Sequence, residues 1–180
     1  MRADAARNID AVLQTGARLL AEDPGTTIAT IAAEAGVDRR TVYRRFARRE
    51  VLRDAVLHTK LDAVDAVLTD ARLESAPATV ALYRFLEGII GVVRRYPIDT
   101  EQMHCDDDSY ARMLDQRERI AAFIRRAQDE GLIRSDLPDG MAAALLHQIV
   151  TLLARQYRDR DPAEAAEIAV DTLLKGVGRN

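Results

Sequence analysis

Between Val37 and Arg49 stand six arginines, Arg39, Arg40, Arg44, Arg45, Arg48 and Arg49, against a single acid, Asp38, with Thr41 and Tyr43 interleaved among them. A guanidinium is a planar fork of N–H donors that fits phosphate oxygens and the O6/N7 edge of guanine, and hydroxyls add further donors to phosphate. The chemistry open to this stretch is recognition of a polyanion. The bland alternative is a solvated face rich in arginine. Only Lys60 and Lys175 are lysines among the 26 Lys plus Arg of the chain, so arginine content by itself does not separate the two readings. The element that carries these residues has to decide.

Other chemistry is sparse. His104, Cys105, Asp106, Asp107 and Asp108 bring metal-ligating groups together in sequence, but consecutive residues do not converge on one tetrahedral ion, and no second His or Cys group lies at a ligand spacing. Acids ahead of a helix also suit its positive end. His58 and His147 are isolated. No Gly-Xaa-Ser-Xaa-Gly, phosphate-cradling glycine loop or HExxH motif occurs. A metal-dependent enzyme is therefore the weakest reading, and neither a metal nor a cofactor is expected. The single cysteine excludes an internal disulfide framework and suits a reducing compartment.

The elements that would position the arginines are helical. The chain has 180 residues, 48% hydrophobic and 31% charged, with 4% aromatics and no Trp, which suits one or two helical domains rather than a β fold. The first 55 residues are net positive and the remainder net negative, a basic head on an acidic body. The polar N-terminus has no apolar run of secretory length, and the uncharged stretch Gly140–Ala154 is too short for a membrane span, so a cytoplasmic location is expected.

Ile9, Val12, Leu13, Gly16 and Leu20 recur at helical spacing, and Pro24-Gly25 ends that helix. Thr27 stands at an N-cap before Ile28, Ile31, Ala32 and Ala35. Gly36 supplies a turn, and Asp38 caps a short third helix with Val42 and Phe46 inward. On that helix Arg40 and Arg44 lie opposite the buried pair, Thr41 and Tyr43 on its flanks, and Arg39 and Arg45 nearer the buried side. Two short helices joined by a glycine turn are a helix-turn-helix. Longer helices follow: one from Glu50 past Leu68, Thr79–Tyr96 ended by Pro97, Ser109–Glu130 capped by Gly131, and two that start at Pro138 and Pro162, the latter capped by Asp161. The periodicity predicts Tyr110, Met113, Leu114, Ile120, Ala121 and Ile124 inward on the third of these long helices, with irregular chain between Ile98 and Asp108.

The stretch TTIATIAAEAGVDRRTVYRRFARREVL resembles the DNA-binding domain of the tetracycline-repressor (TetR) family of bacterial transcriptional regulators. The matching residues are Thr27, Ile31, Ala32, Ala35, Gly36, Val37, Thr41, Val42, Tyr43, Phe46, Glu50, Val51 and Leu52. The chain departs from the common pattern at Asp38, where Ser or Thr is usual, at Ala47-Arg48 in place of Pro-Ser, and at Arg49 in place of Lys. Gly131–Leu137 is similar to the family's linker before its penultimate helix. The resemblance implies an all-α fold of about nine helices: a three-helix DNA-binding domain over 1–50, then a helical effector-binding and dimerisation domain over 51–180.

By geometry and resemblance together, Arg39, Arg40 and Arg44 are expected to read bases, and Thr27, Thr41, Tyr43, Arg45 and Arg49 to contact phosphates. A homodimer on a palindromic operator is expected. Its interface would use Leu145, Ile149, Leu152, Leu153, Ile168 and Leu173 on the last two helices, whose apolar circumference is equally compatible with a wholly intramolecular core. Repression in response to an unknown small-molecule effector is the family's commoner mode. Met103, His104, Tyr110, Met113, Arg117 and Phe123 are the candidate effector contacts, each also compatible with ordinary core, and Arg117 with a salt bridge. Gly88 and Gly91 inside a helix each cost about 1 kcal/mol relative to Ala, which suits either close packing or cavity space. A DNA-binding regulator without a small-molecule effector fits the same residues.

Overall fold

The computed structural model describes residues 2–100, 103 and 106–177, and among them every regular element is a helix. Among the described residues there are eight, near the expected nine: α1 (Arg2–Glu22), α2 (Ile28–Glu34), α3 (Arg39–Arg45), α4 (Arg49–Ala71), α5 (Ala78–Arg95), α6 (Asp107–Asp129), α7 (Met141–Gln156) and α8 (Pro162–Val177). No helix among the described residues is long and apolar enough to cross a membrane.

The chain forms two compact units, Met1–Leu61 with Arg95–Ser109, and Asp62–Arg94 with Tyr110–Asn180. In the first, Val12, Leu13, Ala17 and Leu20 of α1 close over Ile28, Ile31 and Ala32 of α2, Val42 of α3 and Leu52, Val56 and Leu57 of α4. Gly16 faces this core, where an added Cβ would lie 3.4 Å from Val56 and 3.8 Å from Ile31. The spacing read from sequence thus buries the expected face of α1.

The second unit is built on Leu68, Leu82, Phe85, Leu86 and Ile90, with Met113, Phe123 and Ile124 of α6 and Leu146, Val150 and Leu153 of α7. Helix α8 packs on α7 through Ala165, Ala166, Ala169 and Leu173. Two helix ends fall where sequence places them. At the end of α6, Gly131 has φ +76, and the N–H groups of Gly131 and Leu132 donate to Gln128 and Ala127 at 3.0 and 2.8 Å. At the start of α8, Asp161 accepts from the Ala163 N–H at 2.9 Å.

Two expectations are corrected. Helix α7 begins at Met141 rather than Pro138, because Pro138 opens a turn closed by the Met141 N–H at 3.0 Å and Gly140 takes φ +75. Helix α6 is also rotated from the predicted stripe: Tyr110 and Leu114 are 54% and 46% exposed, while Gln116 is buried. The cause is polar. Arg112 reaches Asp62 and Asp65 of α4 at 2.7 and 2.6 Å, and Gln116 donates to Asp65 at 2.7 Å, so hydrogen bonding orients this face of α6.

Candidate nucleic-acid interface

The short helices α2 and α3 are held by their caps. Thr27 Oγ1 accepts from the Thr30 N–H at 3.1 Å, and Asp38 Oδ1 accepts from the N–H groups of Arg40 and Thr41 at 2.9 and 3.1 Å. Between them Gly36 adopts φ +66, with its own N–H donating to Ala33 at 3.2 Å and that of Val37 to Ala32 at 3.0 Å. This left-handed turn closes the carbonyls of α2 and sends the chain into α3. Helix α3 is only seven residues long, so its stability comes from packing. Val42 and Phe46 supply that, at 2% and 4% exposure.

With those two side chains inward, the arginines take distinct places. Arg40 and Arg44 are exposed, and no described acid or carbonyl engages either guanidinium. Arg39 and Arg45 are also exposed, but each lies over a ring: the Arg39 guanidinium carbon is 5.4 Å from the Tyr43 centroid, and that of Arg45 is 5.9 Å from Phe46. Arg49 donates to the Pro24 carbonyl at 3.3 Å and lies 3.8 Å from Glu50, which ties the start of α4 to the loop before α2. Arg18 braces α1 against α2 through Glu34 at 2.8 Å. Thr27, Arg40, Tyr43, Arg44 and Arg45 are thus all solvent-accessible, Thr41 and Arg49 partly so.

The expected effector residues differ in burial. Met113 and Phe123 are buried, Tyr110 and Arg117 are exposed on α6, Met103 is half-buried in the other unit, and His104 lies outside the described residues, as does Cys105. A cleft of about 290 Å³ lies between Ala121, Ile124, Arg125 and Gln128 of α6 and residues 135, 137–140, 142 and 143. Periodicity had no means of finding it, because the Pro138–Gly140 turn lines it and its residues are not contiguous on a helix face. Among the described residues no three His, Cys, Asp or Glu side chains assemble as a metal site.

The expected interface residues divide. Leu153 and Leu173 are buried within this one chain against the α7–α8 core and are not available to a partner. Leu152 and Ile168 are 44% and 36% exposed, and Leu145 and Ile149 are half-buried. Met141, Leu145, Ile149 and Leu152 recur on one side of α7.

Residues 12–56 match the family model described as bacterial regulatory proteins, tetR family. Over 166 residues the chain is 26% identical to the transcriptional repressor LfrR of Mycolicibacterium smegmatis, covering 91% of this chain and 86% of that one. The crystal structure of LfrR from Mycobacterium smegmatis in complex with proflavine has a similar fold, with a TM-score of 0.69 at 22% identity over 97% of this chain and 99% of that one. The ketosteroid regulator KstR2 of Mycobacterium tuberculosis gives a TM-score of 0.76 at 20% identity, over 94% of each chain.

Proposed function

Because residues 12–56 match the family model of the tetR bacterial regulatory proteins and the chain is 26% identical to a transcriptional repressor over most of its length, we propose that it is a member of that family, a ligand-responsive repressor acting as a homodimer on a palindromic operator in the bacterial cytoplasm. The observation that carries this reading is the outer face of α3. Arg40 and Arg44 stand there exposed and unengaged, on a helix whose opposite face is anchored by Val42 and Phe46. Retaining unpaired cations side by side gives nothing to a fold, whereas a duplex supplies the phosphates and guanine edges they match.

In this reading Arg39, Arg40 and Arg44 read bases in the major groove. Thr27, Thr41, Tyr43, Arg45 and Arg49 hold phosphates, with Arg49 exchanging the Pro24 carbonyl for a phosphate oxygen. A seven-residue recognition helix reads few base pairs, so two copies related by a two-fold axis are needed. The exposed apolar side of α7, with Ile168 of α8, is the surface that would join them. LfrR is a repressor and has been crystallised with proflavine, which supports repression and a small-molecule effector here. The α6–α7 cleft is the candidate site for that effector. The exposure of Tyr110 and Arg117, which an effector cavity would enclose, favours the second reading, a regulator controlled without a small molecule.

Selection of bound duplexes from a random pool at two salt concentrations tests the proposal. The expected result is a guanine-containing palindrome whose affinity falls steeply with salt. Arg44→Ala should cost about 1–3 kcal/mol and relax preference at one position. Uniform weakening on every duplex would instead make Arg44 a phosphate contact.

A further inference from the structure

Arg39 and Tyr43 are four residues apart on α3 and lie on neighbouring faces. At about 100° per residue, the Arg39 Cα points nearer to the buried Val42–Phe46 side than to the outer face that carries Arg40 and Arg44. Its side chain is nevertheless exposed, and its guanidinium carbon lies 5.4 Å from the centroid of the Tyr43 ring. No described acid draws it there: the neighbouring Asp38 accepts the N–H groups of Arg40 and Thr41. The ring, itself 37% exposed on the flank of the helix, is what the cation rests on.

We propose that the Tyr43 ring aims the Arg39 guanidinium at a guanine edge, so that Tyr43 sets specificity at a base pair it does not itself read. The inference rests on the proposed role of α3 as the recognition helix. A guanidinium resting over a ring is held there without an acid or carbonyl taking its N–H donors, which are left for O6 and N7 of guanine. The contact also restricts the rotamers of a long side chain before DNA arrives, so less freedom is lost on binding. The two parts of Tyr43 therefore do different work. Its hydroxyl suits a phosphate and has no influence on sequence, whereas its ring is a positioning group for Arg39.

The test uses the full chain as wild type, Arg39→Ala, Tyr43→Phe, Tyr43→Leu and the Arg39→Ala/Tyr43→Leu double variant. Each is put through selection from a random duplex pool, and affinities are then measured on the recovered wild-type site and its single-base-pair variants. Thermal melting checks that each variant folds. Arg39→Ala should lower discrimination at one guanine by about 5- to 150-fold. Tyr43→Leu should lower it at that same base pair by about 2- to 5-fold, and the double variant should discriminate no worse than Arg39→Ala alone. Tyr43→Phe should keep the discrimination while weakening all duplexes evenly. The proposal is overturned if Tyr43→Leu keeps wild-type discrimination at the base pair that Arg39→Ala relaxes, or relaxes a different one. If Arg39→Ala relaxes no position, Arg39 reads no base and the inference falls while the recognition helix stands. If the wild-type chain enriches no sequence, the recognition-helix reading itself fails and the inference falls with it.

Discussion

Gly88 and Gly91 lie three residues apart on one helix and lack a side chain for different reasons. A Cβ at Gly88 would sit 2.8 Å from both γ-methyls of Val67, a β-branched and therefore stiff side chain, whereas a Cβ at Gly91 would meet nothing within 4 Å. Gly88→Ala should lower stability by about 1–3 kcal/mol through overpacking, and Val67→Ala should rescue it in part. Gly91→Ala should raise stability by up to about 1 kcal/mol through helix propensity. Urea titration of the variants reads both signs, and a destabilised Gly91→Ala would show that the open space at that position has another use. Asp38 presents a second contrast. Its carboxylate caps α3 but carries negative charge beside the arginines. A serine would keep the cap and remove the charge, so Asp38→Ser should leave the melting temperature nearly unchanged and tighten DNA binding most at low salt. Weaker binding in a fluorescence anisotropy titration would mean that Asp38 itself contacts the duplex.

Helix α6 shows how polar groups override an apolar stripe. Burial pushes the Asp65 carboxyl up, yet hydrogen bonds from Arg112 and Gln116 and the charges of Arg112 and Arg119 outweigh it and hold Asp65 below the ordinary aspartate value. A carboxyl depressed in the folded state stabilises it above the unfolded pKa, and that stability is lost as pH falls through the folded one. Acid unfolding should therefore draw on Asp65 below about pH 4. Asp65→Asn should lower stability at neutral pH and flatten the acid limb, as followed by circular dichroism against pH; an unchanged acid limb would remove the α4–α6 cluster from the acid response. At the other end of this unit, Arg94 donates to the carbonyls of Tyr157 and Arg160 at 2.9 and 2.7 Å. A cation there satisfies carbonyls left open at the end of α7 and favours the negative end of the helix. This is a structural use of arginine, distinct from the DNA contact proposed for Arg40 and Arg44.

For the whole molecule, the decisive question is what covers the exposed side of α7. Met141 and Leu152 are 42% and 44% exposed there, and in the proposed dimer they meet their copies across a two-fold axis. Leu152→Asp places a charge at the centre of that contact while leaving the buried Leu146, Val150 and Leu153 untouched. Sedimentation should show wild-type dimer converted to monomer, with a loss of operator affinity of at least tenfold, since one half-site then binds alone. A wild-type chain that sediments as a monomer at micromolar concentration would assign the face to some other partner.

Much of the helix-turn-helix of α2 and α3 was legible without coordinates because its determinants are local. Thr27, Gly36 and Asp38 act on backbone within a few residues of themselves, and Val42 and Phe46 need only the helical period to face inward. The caps, the turn and the outward arginines followed from spacing, as did the all-helical class. What depended on distant residues was not legible in this way. The turn of α6 came from Asp62 and Asp65, some fifty positions away in the chain. The burial of Leu153 and Leu173 came from the docking of α7 on α8, and the tight place at Gly88 came from Val67. Even the Arg39–Tyr43 contact, a four-residue spacing visible in the sequence, required the structure, because periodicity states where a Cβ points and only packing decides where the end of a long side chain comes to rest.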